Sequence, residues 1–229
     1  MRHAKETRGR RFNVGLEQSA LQKIQAGTLR TRYKGRRFCK NPFDVVLYMR
    51  LIEKLKPLTI IEIGTSEGGS AIWFDDICQA QGLPTQILTF DISPPDGLTT
   101  DRIQSRQLDS TEPEAWLEAD MFRALPHPWL IIEDSAHTYD SVLAMLRYFD
   151  QHVQPGDYVV VEDGVVADLP GEHYEAYDDG PNRAVAQFLE EVGARYRIDE
   201  ALCDYFGHNV TYCPNAWLRV VQPGTKPLE

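Results

Sequence analysis

No run of eighteen apolar residues occurs in this chain, and its opening residues, MRHAKETRGRRF, lack the apolar core of a secretory leader. Neither a membrane-spanning helix nor a cleaved signal is therefore expected, and a soluble, cytoplasmic protein is. Cysteine is sparse: Cys39, Cys78, Cys203 and Cys213 are scattered, with no CxxC pair. That excludes a zinc cluster or a disulfide framework and fits reduced thiols. There is no internal repeat and no low-complexity segment. The 229 residues suffice for one well-filled domain with extra N-terminal material, not for two. A GxGxxG turn is missing too, which speaks against a dinucleotide pyrophosphate.

What is there is charge, unevenly placed. The net charge is −10, yet residues 1–40 carry twelve of the 24 Lys and Arg and only two of the 34 acids. A basic arm or lid (1–40) thus precedes an acidic body (41–229). Such an arm packs on the acidic surface of its own or a neighbouring subunit, or meets an anionic ligand. No nucleic-acid recognition motif accompanies it, so packing or contact within a homo-oligomer is the expectation.

Beyond the arm, apolar runs bounded by turn residues alternate with segments of helical period, the pattern of an α/β domain with a mostly parallel sheet. LTIIEI (58–63), QILTFD (86–91), WLIIED (129–134) and DYVVVED (157–163) read as strands. Each ends on or beside a carboxylate. A further strand is expected before Asp109. Helices are expected over 43–55, 69–81, 112–124, 138–152 and 182–193, the first begun by Pro42 and Asp44. The tail 196–221 reads as two strands around Gly207 and Pro214, an antiparallel pair closing the sheet. The long acidic and aromatic loop 164–181 is expected to wall an acceptor site, with His173, Tyr174 and Tyr177 as its candidates.

In open α/β sheets ligands sit beyond the carboxyl ends of the strands. Gly64, Thr65, Gly68, Gly69 and Ser70 follow the first strand and open a helix, where the backbone can approach a ligand closely. Asp91, ending the second strand, suits a pair of ribose hydroxyls. Asp109 and Ser110, after the third, suit an adenine amine, and Glu62 the cationic amino-acid end of a cofactor. In this order they favour S-adenosylmethionine over a nicotinamide. On the other half of the sheet, neighbouring strands roughly 5 Å apart run into Asp134 and into Glu162 and Asp163. Three uncompensated carboxylates there would repel one another, and a hard cation resolves the conflict: Mg²⁺ first, with Mn²⁺ or Ca²⁺ as alternatives. His137, three residues past Asp134, can face the same cavity and accept a proton.

The blocks RRFCKNPFDVVLYMRLI, IIEIGTSEGGSA, IIEDSAHTYD, VVVEDG, GPNRAVAQFLEE and CPNAWLRVV resemble successive blocks of the cephalosporin hydroxylase family, which includes rhamnosyl O-methyltransferases. The acidic pattern is similar to that of macrolide sugar O-methyltransferases. The resemblance implies a Rossmann-like class I methyltransferase: seven strands, mostly parallel, with an antiparallel C-terminal strand. It further implies Mg²⁺ on Asp134, Glu162 and Asp163, His137 as general base, and Gly64, Asp91 and Asp109 at the S-adenosylmethionine. The expected acceptor is a small molecule, a hydroxyl of a sugar or secondary metabolite in natural-product or antibiotic biosynthesis. A catechol acceptor, an NAD-dependent oxidoreductase and a non-catalytic S-adenosylmethionine-binding subunit stand as alternatives.

Overall fold

Burial explains why the strand-forming runs are so uniformly apolar. The computed structural model describes residues 7–222; the first six residues of the arm lie outside them. In chain order the elements are α1 (Gln18–Thr28), β1 (Arg32–Tyr33), β2 (Arg36–Arg37), α2 (Pro42–Leu55), β3 (Thr59–Ile63), α3 (Gly69–Ala80), β4 (Gln86–Asp91) and β5 (Ile103–Gln107). Then follow α4 (Pro113–Trp116), α5 (Ala119–Arg123), β6 (Trp129–Glu133), α6 (Tyr139–Asp150), β7 (Tyr158–Val161), α7 (Glu172–Glu175), α8 (Gly180–Val192), β8 (Tyr196–Ile198), α9 (Glu200–Cys203) and β9 (Trp217–Val220). The seven-stranded sheet has the order β5-β4-β3-β6-β7-β9-β8. Its pairs are parallel except where β9 runs antiparallel between β7 and β8. Strands β3, β6 and β7 are buried along their whole length, as covered parallel strands must be.

The chain starts the sheet at its centre with β3, winds outward through β4 and β5, then crosses back to lay β6 on the other flank of β3. The crevice where winding reverses therefore opens above β3 and β6, with the glycine turn on one side and the paired acids on the other.

Local signals account for most boundaries. Asn41 caps α2 by accepting from the amides of Phe43 and Asp44 at 2.8 and 3.1 Å, with Pro42 in the first turn. Thr138 caps α6. Two expectations differ. The helix expected over 112–124 is broken into α4 and α5, because Leu117 is extended and buried and its carbonyl accepts from the Tyr148 hydroxyl at 3.1 Å. Helix α1 lacks a side-chain cap and first-turn acids and was not legible locally. It is held by a satellite core of Val14, Leu21, Val165, Leu169 and Tyr212. The described part of the arm packs on acids of the body: Arg10 on Asp204 at 2.7 Å and Glu200 at 3.2 Å, Arg32 on Glu67 at 3.0 Å, Lys34 on Asp76 at 2.6 Å. No described helix is long and apolar enough to cross a membrane.

Asp44 ties the first turn of α2 to the C-terminal segment. Its buried carboxylate accepts from Thr211 Oγ1 at 2.5 Å, the Tyr212 amide at 2.9 Å and the Asn41 side chain. Asp44→Ala orphans these donors and is expected to cost about 3 kcal/mol or more, measured by denaturant unfolding. Burial raises the Asp44 pKa from 3.8 to about 6, against the opposing hydrogen bonds. The folded chain thus holds this proton more tightly than the unfolded chain, so the contribution is complete below the ordinary value and is lost as pH rises through about 6. Relative to Asp44→Asn, which cannot ionise, the wild-type protein is expected to lose stability across that window.

Candidate active site

The glycine turn is built by close approach. Gly64 has φ +105°, and a Cβ there would stand 1.9 Å from the Asp134 carbonyl oxygen. Its amide donates to the Phe90 carbonyl at 2.7 Å. The turn is thus wedged between the ends of β4 and β6, and only glycine fits. Gly69 is as confined by the Arg37 carbonyl oxygen, 2.1 Å from where a Cβ would lie, which seats the β1–β2 hairpin on the start of α3. Glu67, within the turn, accepts from the Arg37 amide at 2.8 Å and pairs with Arg32.

Beside this turn Asp91 accepts from the Ser66 amide at 2.8 Å and the Ser93 amide at 2.9 Å, one on each oxygen. The buried Thr65 hydroxyl meets that of Thr89 at 2.6 Å. Glu62 is fully buried; Oε2 accepts from Thr89 Oγ1 at 2.7 Å and Ser70 also bonds its carboxylate, whereas Oε1 has no partner. Burial raises its pKa. Asp109 lies beyond β5 on the same rim, its Oδ1 accepting from the Thr111 amide and hydroxyl, which lowers its pKa. Ser110 beside it is buried. The structure brings Glu62, Gly64, Thr65 and Asp91 together at the β3–β4 ends, Gly68, Gly69 and Ser70 at the start of α3, and Asp109 and Ser110 beyond the end of β5, the strand next to β4.

At the other flank, ligand atoms of Asp134, His137 and Asp163 lie within 4.8 Å of one another. His137 Nε2 is 3.4 Å from Asp163 Oδ2. Both His137 (φ +54°) and Asp163 (φ +57°) adopt the left-handed backbone region, a strained state that persists only when surroundings impose it. The imposing element is the first turn of α8. A Cβ on Gly180 would lie 2.5 Å from the His137 carbonyl oxygen, and Asn182 Nδ2 donates to the Gly164 carbonyl at 2.8 Å. The GPN block thus clamps the turns that carry His137 and Asp163, a role its sequence alone did not reveal.

Glu162 sits deeper than its two acidic partners. Its Oε1 accepts from the Tyr48 hydroxyl and from Lys40 Nζ, each at 2.6 Å, and Lys40 Nζ also contacts Asp134 Oδ2 at 2.6 Å. Lys40 and Tyr48 escaped the sequence reading; the only signal was their place on either side of the α2 start, in KNPFDVVLY. Burial, reinforced by Asp134, raises the Glu162 pKa well above the carboxylate range. Burial also raises that of Asp163, with Asp134 adding and His137 opposing. For His137, burial disfavours the charged form, but Asp163, Asp134 and Glu133 together outweigh it and push the pKa up. Against burial, Asp134, Glu162 and Glu62 hold Lys40 charged. Such a cluster of acids, Glu162 buried and Asp134 and Asp163 half-buried, is what a hard cation would neutralise.

Of the three loop candidates, Tyr177 sets its ring edge-on to His137, centroids 5.7 Å apart, and His173 packs on Tyr177 at 5.5 Å. Tyr174 turns to the arm, its hydroxyl accepting from Gln25 at 3.2 Å.

Comparison with known proteins identifies the fold and the family. Rhamnosyl O-methyltransferase of Mycobacterium tuberculosis is 29% identical over 197 residues, covering 82% of this chain and 78% of that protein. The Mycobacterium leprae protein of the same name is 28% identical over 192 residues, covering 82% of each. Among solved structures, CmcI without ligand has a TM-score of 0.64 at 22% identity, over 85% of this chain and 77% of that one. CmcI with Mg and S-adenosylmethionine has 0.63 at 20%, over 85% and 78%. These likenesses show the class I methyltransferase fold. Residues 26–221 match the family Rhamnosyl O-methyltransferase/CmcI, and the chain belongs to it.

Proposed function

We propose that this S-adenosylmethionine-dependent O-methyltransferase acts on a hydroxyl of a sugar or polyhydroxylated secondary metabolite, with Mg²⁺ held by Asp134, Asp163 and Glu162. The observation that carries the reading is the meeting of Asp134, His137 and Asp163 within 4.8 Å, immediately beside a glycine turn whose Gly64 packs on the Asp134 backbone.

The residues suit both absent groups. Glu62 Oε1, buried without a partner, is an acceptor waiting for a cationic amine such as the methionine end of the cofactor. Asp91, held by two amides, keeps lone pairs for ribose hydroxyls, and the exposed Ile92 next to it offers an apolar face for the base. The acid cluster, with its raised pKa values, suits a divalent cation. When bound, Mg²⁺ makes a coordinated hydroxyl more acidic, and S-adenosylmethionine brings a methyl already activated by its sulfonium. His137 then takes the acceptor proton at its ring nitrogen, and Asp163 stabilises the imidazolium that results. Tyr177 fixes the plane of the ring. With activation resting on the methyl donor, the chain's own work is orientation and deprotonation.

The test is a mass gain of one methyl on rhamnosylated acceptors and, in parallel, on catechols. Transfer is expected only with S-adenosylmethionine, to be abolished by EDTA and restored by added Mg²⁺. Transfer that persists in EDTA would overturn the metal reading. A thermal shift with NAD but not S-adenosylmethionine would favour an oxidoreductase, and cofactor binding without transfer to any acceptor a non-catalytic subunit.

A further inference from the structure

We propose that Lys40 is a positioning residue of the metal centre: its ammonium group occupies one oxygen of Asp134 and one of Glu162 and keeps the divalent cation that these acids would hold exchangeable. The inference rests on the reading that Asp134 and Asp163 hold a cation.

Lysine is seldom so deeply buried. The Lys40 side chain is 2% exposed, and its Nζ meets Asp134 Oδ2 and Glu162 Oε1 at 2.6 Å each. Among the described residues no other Lys or Arg forms an ion pair with these acids. Glu162 Oε1 also accepts from Tyr48, so both of its lone pairs are engaged and it has none left for a metal. The charges balance as well: the ammonium and one divalent cation together match Asp134, Glu162 and Asp163, with His137 neutral and free to accept a proton. Lys40 is fixed from behind by its neighbours in sequence, since Asn41 caps α2 and Phe38 is in the main core. The last residue of the basic arm is thus part of the site.

The direction of the effect follows from linkage. Without Lys40 the cation-free protein holds the buried Glu162 and the half-buried Asp134 lacking a counter-charge, whereas the cation-bound protein does not. Removing the lysine therefore penalises the free state more, and the cation binds more tightly. A lysine that served only as a tether for the ligands would act the other way, its loss weakening binding.

Mn²⁺ binding to the full chain, followed by the electron paramagnetic resonance of the free ion, separates the two. Lys40→Met and Lys40→Gln are expected to bind Mn²⁺ at least tenfold more tightly than wild type, with a larger Mn²⁺-induced rise in melting temperature. The glutamine variant keeps a hydrogen-bond donor and serves should the methionine variant fold poorly. Asp163→Asn is expected to bind at least tenfold more weakly. Unchanged or weaker binding by the lysine variants, with binding in wild type and loss in Asp163→Asn, overturns the role of Lys40 alone. Absence of Mn²⁺ binding in wild type overturns the metal reading and the proposal with it.

Discussion

His137→Ala is expected to lower kcat by about 10²–10⁴-fold, the range for loss of a general base, while S-adenosylmethionine affinity stays within about twofold. The residues proposed to hold the cofactor lie over β3, β4 and β5, whereas His137 follows β6, so the two properties separate in space. Steady-state kinetics with saturating acceptor, together with calorimetric titration of the cofactor, measures both. His137 lies close enough to Asp134 and Asp163 to be a metal ligand itself. The same variant decides that point: unchanged Mg²⁺ affinity keeps it as base, and a tenfold loss makes it a ligand. In the cation-free protein the surrounding acids push its pKa up, and a divalent cation on Asp134 and Asp163 would offset that push. Only the neutral imidazole accepts a proton, so wild-type turnover should fall as pH drops through the imidazole's own titration, and the alanine variant should lose that limb of the profile. Turnover unchanged by the substitution would remove His137 from the mechanism.

The largest loss of stability is expected from Gly64→Ala. A Cβ 1.9 Å from the Asp134 carbonyl oxygen and 2.5 Å from its carbonyl carbon meets backbone, which cannot swing aside as a side chain would. At φ +105° the alanine is strained even without that contact. A cost of about 4 kcal/mol or more is expected, in the range reserved for disruption of packed backbone. Gly82→Ala is the control, since Gly82 also has positive φ (+68°) but nothing within 4 Å of the added atom. It should cost only about 1–2 kcal/mol, the left-handed strain alone. Moving the Gly64 turn displaces the end of β6, so the surviving folded fraction should lose S-adenosylmethionine and Mn²⁺ together. Retention of either at wild-type affinity would show that the two halves of the crevice are not coupled through this contact.

The parts legible in advance were those written in local pattern. Apolar runs such as TIIEI and YVVV could only be covered parallel strands. Pro42 and Asp44 marked the start of α2, because the first turn of a helix is specified by its own residues. Acids at strand ends, Asp91, Asp134 and Asp163, were placed correctly on the rim because a parallel sheet aligns all its carboxyl ends. Helix α1 was invisible because its stabilisation comes from Val165, Leu169 and Tyr212, far along the chain. The helix over 112–124 was overestimated because a tertiary bond from Tyr148 extends Leu117.

The sequence by itself therefore determined the sheet, the glycine turn and the gathering of carboxylates, since periodicity and strand direction are local properties. Only the tertiary structure decided how those carboxylates are shared out. It buried Glu162 against Lys40 and Tyr48 from 122 and 114 residues away, and left Asp134, His137 and Asp163 facing the crevice. It also twisted His137 and Asp163 into left-handed turns braced by Gly180 and Asn182. Such pairings depend on which helices pack above which strands, and burial then sets the charge state of each acid, neither of which any local pattern encodes.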